Sequence, residues 1–222
     1  MTELTLPGAQ TIPLTLRRSS RARRITLRVS RLDGRVTLTL PYHVPDSAGL
    51  EFAETRAPWI ADQLGKIETT VSVVDGTTLP VEGQTRHVVI GREASSANEI
   101  GAPSVAALAA GLKERARRNL VQSVDRFTED LGRPASAITL RDTRSRWGSC
   151  SASGRLMFSW RLILAPPKVL DYVAAHEVAH LKHMDHSAAF WGTVAQLYPG
   201  YDDQRRWLRQ NGPSLHRYQF GH

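Results

Sequence analysis

The first ninety residues alternate apolar and polar side chains in short runs that are typical of β-strands. Asp33-Gly34 lies between two of these runs and predicts the turn of a β-hairpin. A helix is predicted from about 48 to 67, where apolar residues recur every three or four positions, and Pro58 is expected to kink or split it. The predicted strands cover 11–16, 24–29, 36–40, 71–74, 78–81 and 86–90.

The pattern changes after residue 92, where Ser, Ala, Asn, Gly and Glu replace the alternating runs up to residue 103. A long helix is predicted next, capped by Ser104 and ended by Gly132, with an apolar stripe along one face. Strands are then predicted over 138–141, 146–149 and 156–162, and helices over 168–183, 187–197 and 202–210.

This order of elements predicts an α+β protein with two domains. The first, over 1–92, is a β-rich region with one helix, and 93–103 is interpreted as a linker. The second domain, over 104–222, has a small sheet and several helices.

Composition narrows the class of protein. The chain has 222 residues, of which 41% are hydrophobic and 23% are charged, as in globular proteins. No apolar run reaches the roughly 18 residues that a membrane span needs, and the first residues lack a secretory signal pattern. We therefore expect a cytoplasmic protein without membrane association. Cys150 is the single cysteine, which excludes an internal disulfide and a cysteine-rich zinc site.

The net charge of +8 favours anionic ligands, and most of the surplus lies in the second half of the chain. A separate arginine cluster lies in the first half and could contact the phosphates of a nucleotide or nucleic acid. No nucleic-acid-binding motif accompanies it, so we favour a solvated edge of a sheet, partly neutralised by Glu51, Glu54 and Asp62. The cluster consists of Arg17, Arg18, Arg21, Arg23, Arg24 and Arg28.

The clearest chemical signal is an H-E-x-x-H motif formed by His176, Glu177 and His180. Residues four apart lie on one helix face, so both imidazoles can bind one metal ion. Glu177 is about 100° further round the helix, where its carboxylate can take a proton from a water that the metal activates. The predicted cofactor is Zn²⁺.

A catalytic zinc site needs a third protein ligand, and three residues qualify. His183 shares the helix face, but lies about 10.5 Å along the helix axis from His176. His186 and Asp185 lie where the chain should turn before the Ser187 cap. We expect His186 to be the ligand, with His183 and Asp185 as alternatives. The spacing of the three histidines matches the metzincin pattern, except that His183 stands where that pattern has glycine.

The segment 144–150, Arg-Ser-Arg-Trp-Gly-Ser-Cys, is unusual for an ordinary strand. Gly148 would permit a close backbone approach, and Arg144 or Arg146 could bind a substrate carboxylate, a phosphate or an oxyanion. The alternative is that these arginines pair with Asp142 or Asp171.

This segment, together with Phe158-Ser-Trp-Arg-Leu-Ile163, the H-E-x-x-H helix and Asp185-His-Ser-Ala-Ala-Phe-Trp191, resembles the YgjP-like metallopeptidase family. That family is related to zincins of the SprT and M48 type. The resemblance is dense over about 135–212 and implies a zincin-like catalytic domain. It also implies His176, His180 and His186 as zinc ligands and Glu177 as the base.

We therefore predict a zinc-dependent hydrolase, a metallopeptidase acting on a polypeptide, with Glu177 and Arg146 as catalytic residues. The substrate is expected to pair with an edge strand within 156–162. One alternative is a metal-dependent nucleotide pyrophosphatase, favoured by the basic second half. Another is a nucleic-acid-associated module with a structural zinc ion, which would have four protein ligands. The sequence does not set the oligomeric state.

Overall fold

The structure is a computed structural model that describes residues 2–8, 10–30, 33–67 and 69–221. It confirms the α+β class, because runs of strands that form small sheets are followed by runs of helices along the chain. The chain divides into two compact units, Met1–Thr69 and Thr70–His222. Each unit has buried apolar clusters of its own.

The first unit is a four-stranded sheet with two short helices. The strand order is β1-β2-β4-β3, and β3 and β4 pair antiparallel, which confirms the predicted hairpin. The helix predicted over 48–67 is split in two at Arg56, two residues before Pro58, because proline is tolerated only in the first turn of a helix. The elements are β1 (Thr2–Thr5), β2 (Thr11–Arg18), β3 (Thr26–Val29), β4 (Val36–Leu40), α1 (Asp46–Thr55) and α2 (Ala57–Gly65).

The arginine cluster of this unit is not neutralised in the predicted way. Within the described residues, no arginine of the cluster forms an ion pair with Glu51, Glu54 or Asp62, and Asp62 pairs instead with Lys66 at 2.5 Å. Arg18 has a structural role, since its guanidinium donates to three backbone carbonyls and to the carboxylate of Asp46. The expected neutralisation was wrong because the guanidinium of Arg18 lies beside the segment that leads into α1, and it therefore reaches the carboxylate of Asp46 at the start of that helix instead.

The second unit begins with strands that share a core with the long helix. β6, β7 and β8 form one sheet, and its buried Leu79 and Val88 pack in the same cluster as Leu108 and Leu112 of α3. Ser104 caps α3 as predicted, accepting a hydrogen bond from the backbone of Ala107. The elements are β5 (Val71–Ser72), β6 (Thr78–Val81), β7 (Gln84–Ile90), β8 (Glu99–Ala102) and α3 (Val105–Leu131).

The division into units therefore lies earlier in the chain than the linker expected over 93–103. That stretch contains β8, which pairs parallel with β7. β8 has only four residues and no alternating burial, so local pattern did not reveal it. Whether the chain folds as separate domains, and where their boundary lies, stays a proposal.

A second small sheet of this unit has the order β10-β11-β9. Its strands are β9 (Ala137–Arg141), β10 (Gly148–Cys150) and β11 (Arg155–Ser159). β11 is the central strand, antiparallel to β10 and parallel to β9. The expectation that 156–162 supplies an edge strand was wrong, because β11 has partners on both sides and the chain continues as a 3-10 helix, Trp160–Leu164.

Three helices follow: α4 (Pro167–Ala179), α5 (Ala188–Leu197) and α6 (Tyr201–Asn211). Most of α4 is buried, including Val173, Ala174 and Val178, so its position is set on several sides by packing. A 3-10 helix, Gly212–His216, and β12 (Tyr218–Gln219), which pairs parallel with β5, complete the described chain. Within the described residues, every helix is too short or too polar to cross a bilayer.

Candidate metal centre

Three imidazoles meet at the carboxyl end of α4. His176 lies in the last turn of the helix, His180 is its first residue beyond, and His186 comes just before Ser187, which caps α5. One ring nitrogen of each lies within 4.8 Å of the others. Of the three candidates for the third ligand, His186 is therefore the one that lies beside His176 and His180.

The other two candidates have different contacts. The helix ends at Ala179, four residues before the predicted end, and the backbone of His183 lies in the following turn. Its carbonyl accepts a hydrogen bond of 2.9 Å from Nδ1 of His180. Asp185 accepts a hydrogen bond from the backbone of Ser187 at 3.3 Å. These local bonds shape the turn that carries His186 back over the helix end.

The donor set fits a metal ion. Because a carbonyl can only accept, Nδ1 of His180 carries the proton and Nε2 is left with its lone pair. Nε2 of His176 and Nε2 of His186 lie 3.2 Å apart, and at most one of two neutral imidazoles facing in this way can donate. Burial lowers the pKa of His176 to about 3 and also lowers the pKa of His180, which favours the neutral, ligating form.

An apolar side chain holds the three rings in place. The ring of Phe190, on α5, is fully buried and lies parallel to that of His180 at 4.4 Å between centroids. It also meets the edges of His176 at 4.9 Å and His186 at 4.8 Å. One aromatic ring thus contacts all three imidazoles, which restricts their rotation.

The side chain of Glu177, on α4, is enclosed against β10, an edge strand of the second small sheet. Its side chain is only 5% exposed, and burial raises its pKa to about 8, while the charge of Arg146 acts in the opposite direction. A Cβ placed on Gly148 of β10 would lie 2.5 Å from Oε1 of Glu177. Position 148 therefore requires glycine, because the carboxylate of Glu177 occupies the space that a Cβ atom at this position would need.

The neighbours of Glu177 clarify the segment 144–150. Arg144 and Arg146 are exposed, and the carboxylates considered as their partners bind elsewhere. Asp142 pairs with Arg161 at 2.6 Å, and Asp171 accepts from Ser123 and pairs with Arg126. Burial and Glu177 raise the pKa of Cys150, so its thiol is not activated.

A cleft of about 460 Å³ opens beside the imidazoles. His176 and His186 form one side, and Trp147, Tyr172 and Trp191 form aromatic walls. The remaining lining comes from Arg205, Leu208 and Arg209 of α6.

Sequence reasoning missed the two arginines of this cleft. The sequence does contain a signal for them, since Arg205 and Arg209 are four residues apart on a predicted helix and therefore lie on one face of it. Two tyrosines near this helix, Tyr198 and Tyr201, do not line the cleft: Tyr198 packs against Phe127 and Tyr201 stacks on Trp191.

Comparisons with known proteins indicate the family of the chain. The crystal structure of the metallopeptidase zymogen of Pyrococcus abyssi abylysin is similar with a TM-score of 0.37 and 20% identity, over 41% of this chain and 93% of that chain. No curated protein matches. A family model described as YgjP-like, metallopeptidase domain matches residues 23–211, which is most of the chain. The chain therefore belongs to the YgjP-like metallopeptidase domain family.

Proposed function

We propose that this protein is a zinc peptidase in which His176, His180 and His186 hold the metal and Glu177 is the general base. The observation that carries the proposal is the convergence of three imidazole nitrogens within 4.8 Å beside a buried carboxylate. Membership of a metallopeptidase family supports the same reaction class.

The donor set supports zinc and a catalytic site. Imidazole nitrogens suit zinc, whereas magnesium prefers carboxylate and water oxygens. The cluster found among the described residues has three protein ligands, which leaves one tetrahedral position open. A structural zinc site would have a fourth protein ligand, so the number of ligands favours a hydrolytic site over a structural zinc ion.

The chain's own residues then have separate roles. Zinc, when bound, supplies a Lewis acid that polarises the scissile carbonyl and makes water more acidic. Glu177 accepts the proton of the attacking water and returns it to the leaving amine nitrogen. Its enclosed position against Gly148 suits a group that must hold this proton between the two steps. Arg146, whose charge reaches Glu177, supports the negative charge that develops on the substrate.

We propose β10 as the strand that binds the polypeptide. Among the residues that the structure describes, it pairs with β11 on one side only, and it contains Gly148, which contacts Glu177. An extended substrate added at this edge would lie beside the carboxylate. This replaces the earlier expectation of an edge strand within 156–162.

The test compares the zinc-loaded protein with the same protein after chelation. We expect a denatured polypeptide to be cut by the loaded protein, cleavage to stop on chelation, and activity to return with zinc. A nucleoside-triphosphate panel under the same metal conditions is the counter-test. Phosphate release that depends on Glu177, without polypeptide cleavage, would overturn the peptidase proposal in favour of the nucleotide alternative.

Gly148→Ala provides a second check on the geometry. The added methyl would displace the carboxylate of Glu177, and a displacement of about 1 Å at a reacting group can cost roughly 10²-fold in rate. We expect the turnover rate to fall by about 10²-fold while the zinc content stays at the wild-type value. Peptide hydrolysis and metal analysis on the same preparation measure both.

Gly192→Ala is the matched control. A Cβ at position 192, on α5, meets no atom within 4 Å, so hydrolysis should be unchanged. Turnover of Gly148→Ala within twofold of this control would contradict the proposed position of the base.

A further inference from the structure

We propose that the cleft beside the imidazoles binds a carboxylate of the substrate through Arg205 and Arg209. The inference rests on the proposed peptidase function and deepens it, because it names the chemistry of the preferred substrate. That carboxylate is either an Asp or Glu side chain near the scissile bond or the free carboxyl terminus of the peptide.

Position is the first reason. The same cleft is lined by two of the proposed zinc ligands, His176 and His186, and by Arg205 and Arg209. A peptide reacting at the imidazoles would therefore place a neighbouring residue beside α6. The volume of about 460 Å³ suits one or two amino-acid residues, and Leu208 offers an apolar contact to the carbon atoms of such a side chain.

The second reason is unbalanced charge. No carboxylate lines the cleft in the part of the chain that the structure describes. Arg205 has a long ion pair of 3.8 Å with Asp202, whose side chain is 67% exposed, and such pairs contribute little. No ion pair of Arg209 is found among the described residues. Two like charges four apart on a helix also repel each other, and an anion between them would relieve this repulsion.

Third, Arg205 is held in a fixed orientation. Its guanidinium lies over the ring of Trp191, 4.2 Å from the centroid. Trp191 stacks on Tyr201 at 5.4 Å, and Tyr201 stacks on Tyr172 at 6.3 Å. A guanidinium whose face is covered keeps its N–H edge for acceptors in its own plane, and that edge matches the two oxygens of a carboxylate. Little side-chain entropy is then lost on binding.

The experiment uses the zinc-loaded full chain and two sets of peptides. In the first set the termini are blocked and residues near the cleaved bond are either Glu or Gln. In the second set the sequence is neutral and the carboxyl terminus is either free or amidated. We expect kcat/KM to be at least tenfold higher for the carboxylate member of one set, and the set that responds identifies the source of the carboxylate.

The variants are Arg209→Gln and the double variant Arg205→Gln/Arg209→Gln. We expect both to lose the preference for the carboxylate peptide while the neutral peptide is still cleaved. The single variant keeps Arg205 on Trp191, so it tests the charge without disturbing that packing. Arg206→Gln is the matched control, because Arg206 pairs with Asp203 at 3.0 Å and does not line the cleft. It should keep the full preference.

A binding measurement separates this inference from the peptidase proposal. Calorimetry on zinc-loaded Glu177→Gln protein should show at least tenfold tighter binding of the same carboxylate peptide than of its neutral partner, and Arg209→Gln in that background should remove the difference. Equal affinities and equal kcat/KM values for the members of both sets would overturn the inference. If no peptide is cleaved but the difference in affinity persists, the peptidase proposal fails and the carboxylate site stands.

Discussion

Replacing Glu177 by Gln is expected to leave the zinc content at one ion per chain and to reduce hydrolysis by about 10²-fold or more. The two side chains have nearly the same shape, so the amide fits the space against Gly148 that the carboxylate now occupies. The amide cannot accept a proton from water, which removes the general base. The three imidazoles, which lie on other positions of the chain, are untouched.

Metal analysis and peptide hydrolysis on one preparation check this prediction. Glu129→Gln is a suitable control, since Glu129 is an exposed carboxylate of α3 outside the metal centre, and it should have wild-type activity. If the zinc-loaded Glu177→Gln protein kept its activity, the assignment of the base would be refuted. A loss of zinc together with activity would show that Glu177 supports the metal site instead.

His186→Ala is expected to weaken zinc binding far more than His183→Ala. His186 brings a ring nitrogen to within 3.2 Å of that of His176, whereas His183 contributes its backbone carbonyl to His180. Alanine at 183 keeps that carbonyl, so the hydrogen bond that orients His180 remains. Loss of a contact outside the ligand set costs about 10–100-fold in metal affinity, so the loss at 186 should exceed that range and the loss at 183 should not.

Competitive chelator titration of the two variants gives both affinities on one scale. Circular dichroism of the chelated proteins shows whether each variant is folded before metal is added. Equal losses of affinity, or a larger loss for His183→Ala, would contradict the choice of His186 as the third ligand.

The parts of the fold that depend on neighbours in sequence could be predicted from the residues. α3 begins after Ser104 and ends before Gly132, because an N-cap hydroxyl and a left-handed glycine act within one helical turn. The pairing of β3 with β4 and the break between α1 and α2 follow from turn residues and proline in the same local way. The spacing of His176 and His180 likewise places two imidazoles on one helix face.

Other features were decided by contacts between distant parts of the chain. The sequence did not predict β8, because its four residues show no alternation of apolar and polar side chains. The strand is defined by its pairing with β7. β11 is central because β9 and β10 pair with it, and no periodicity within 156–162 reports how many partners a strand has. α4 ends at Ala179, and in the turn that follows the side chain of His180 donates to the carbonyl of His183, a contact that helix propensity does not describe.

The same distinction applies to the candidate metal centre. The sequence identified His176, Glu177 and His180 as candidate site residues, because their relative positions follow from helical spacing, and it narrowed the candidates for a third ligand to three residues. Only the tertiary structure brought His186 over the helix end, enclosed Glu177 against Gly148, and placed Arg205 and Arg209 in the cleft. The physical reason is that spacing along a helix is a local property of the backbone, whereas the return of a turn, the burial of a carboxylate and the approach of another helix depend on how the whole unit packs.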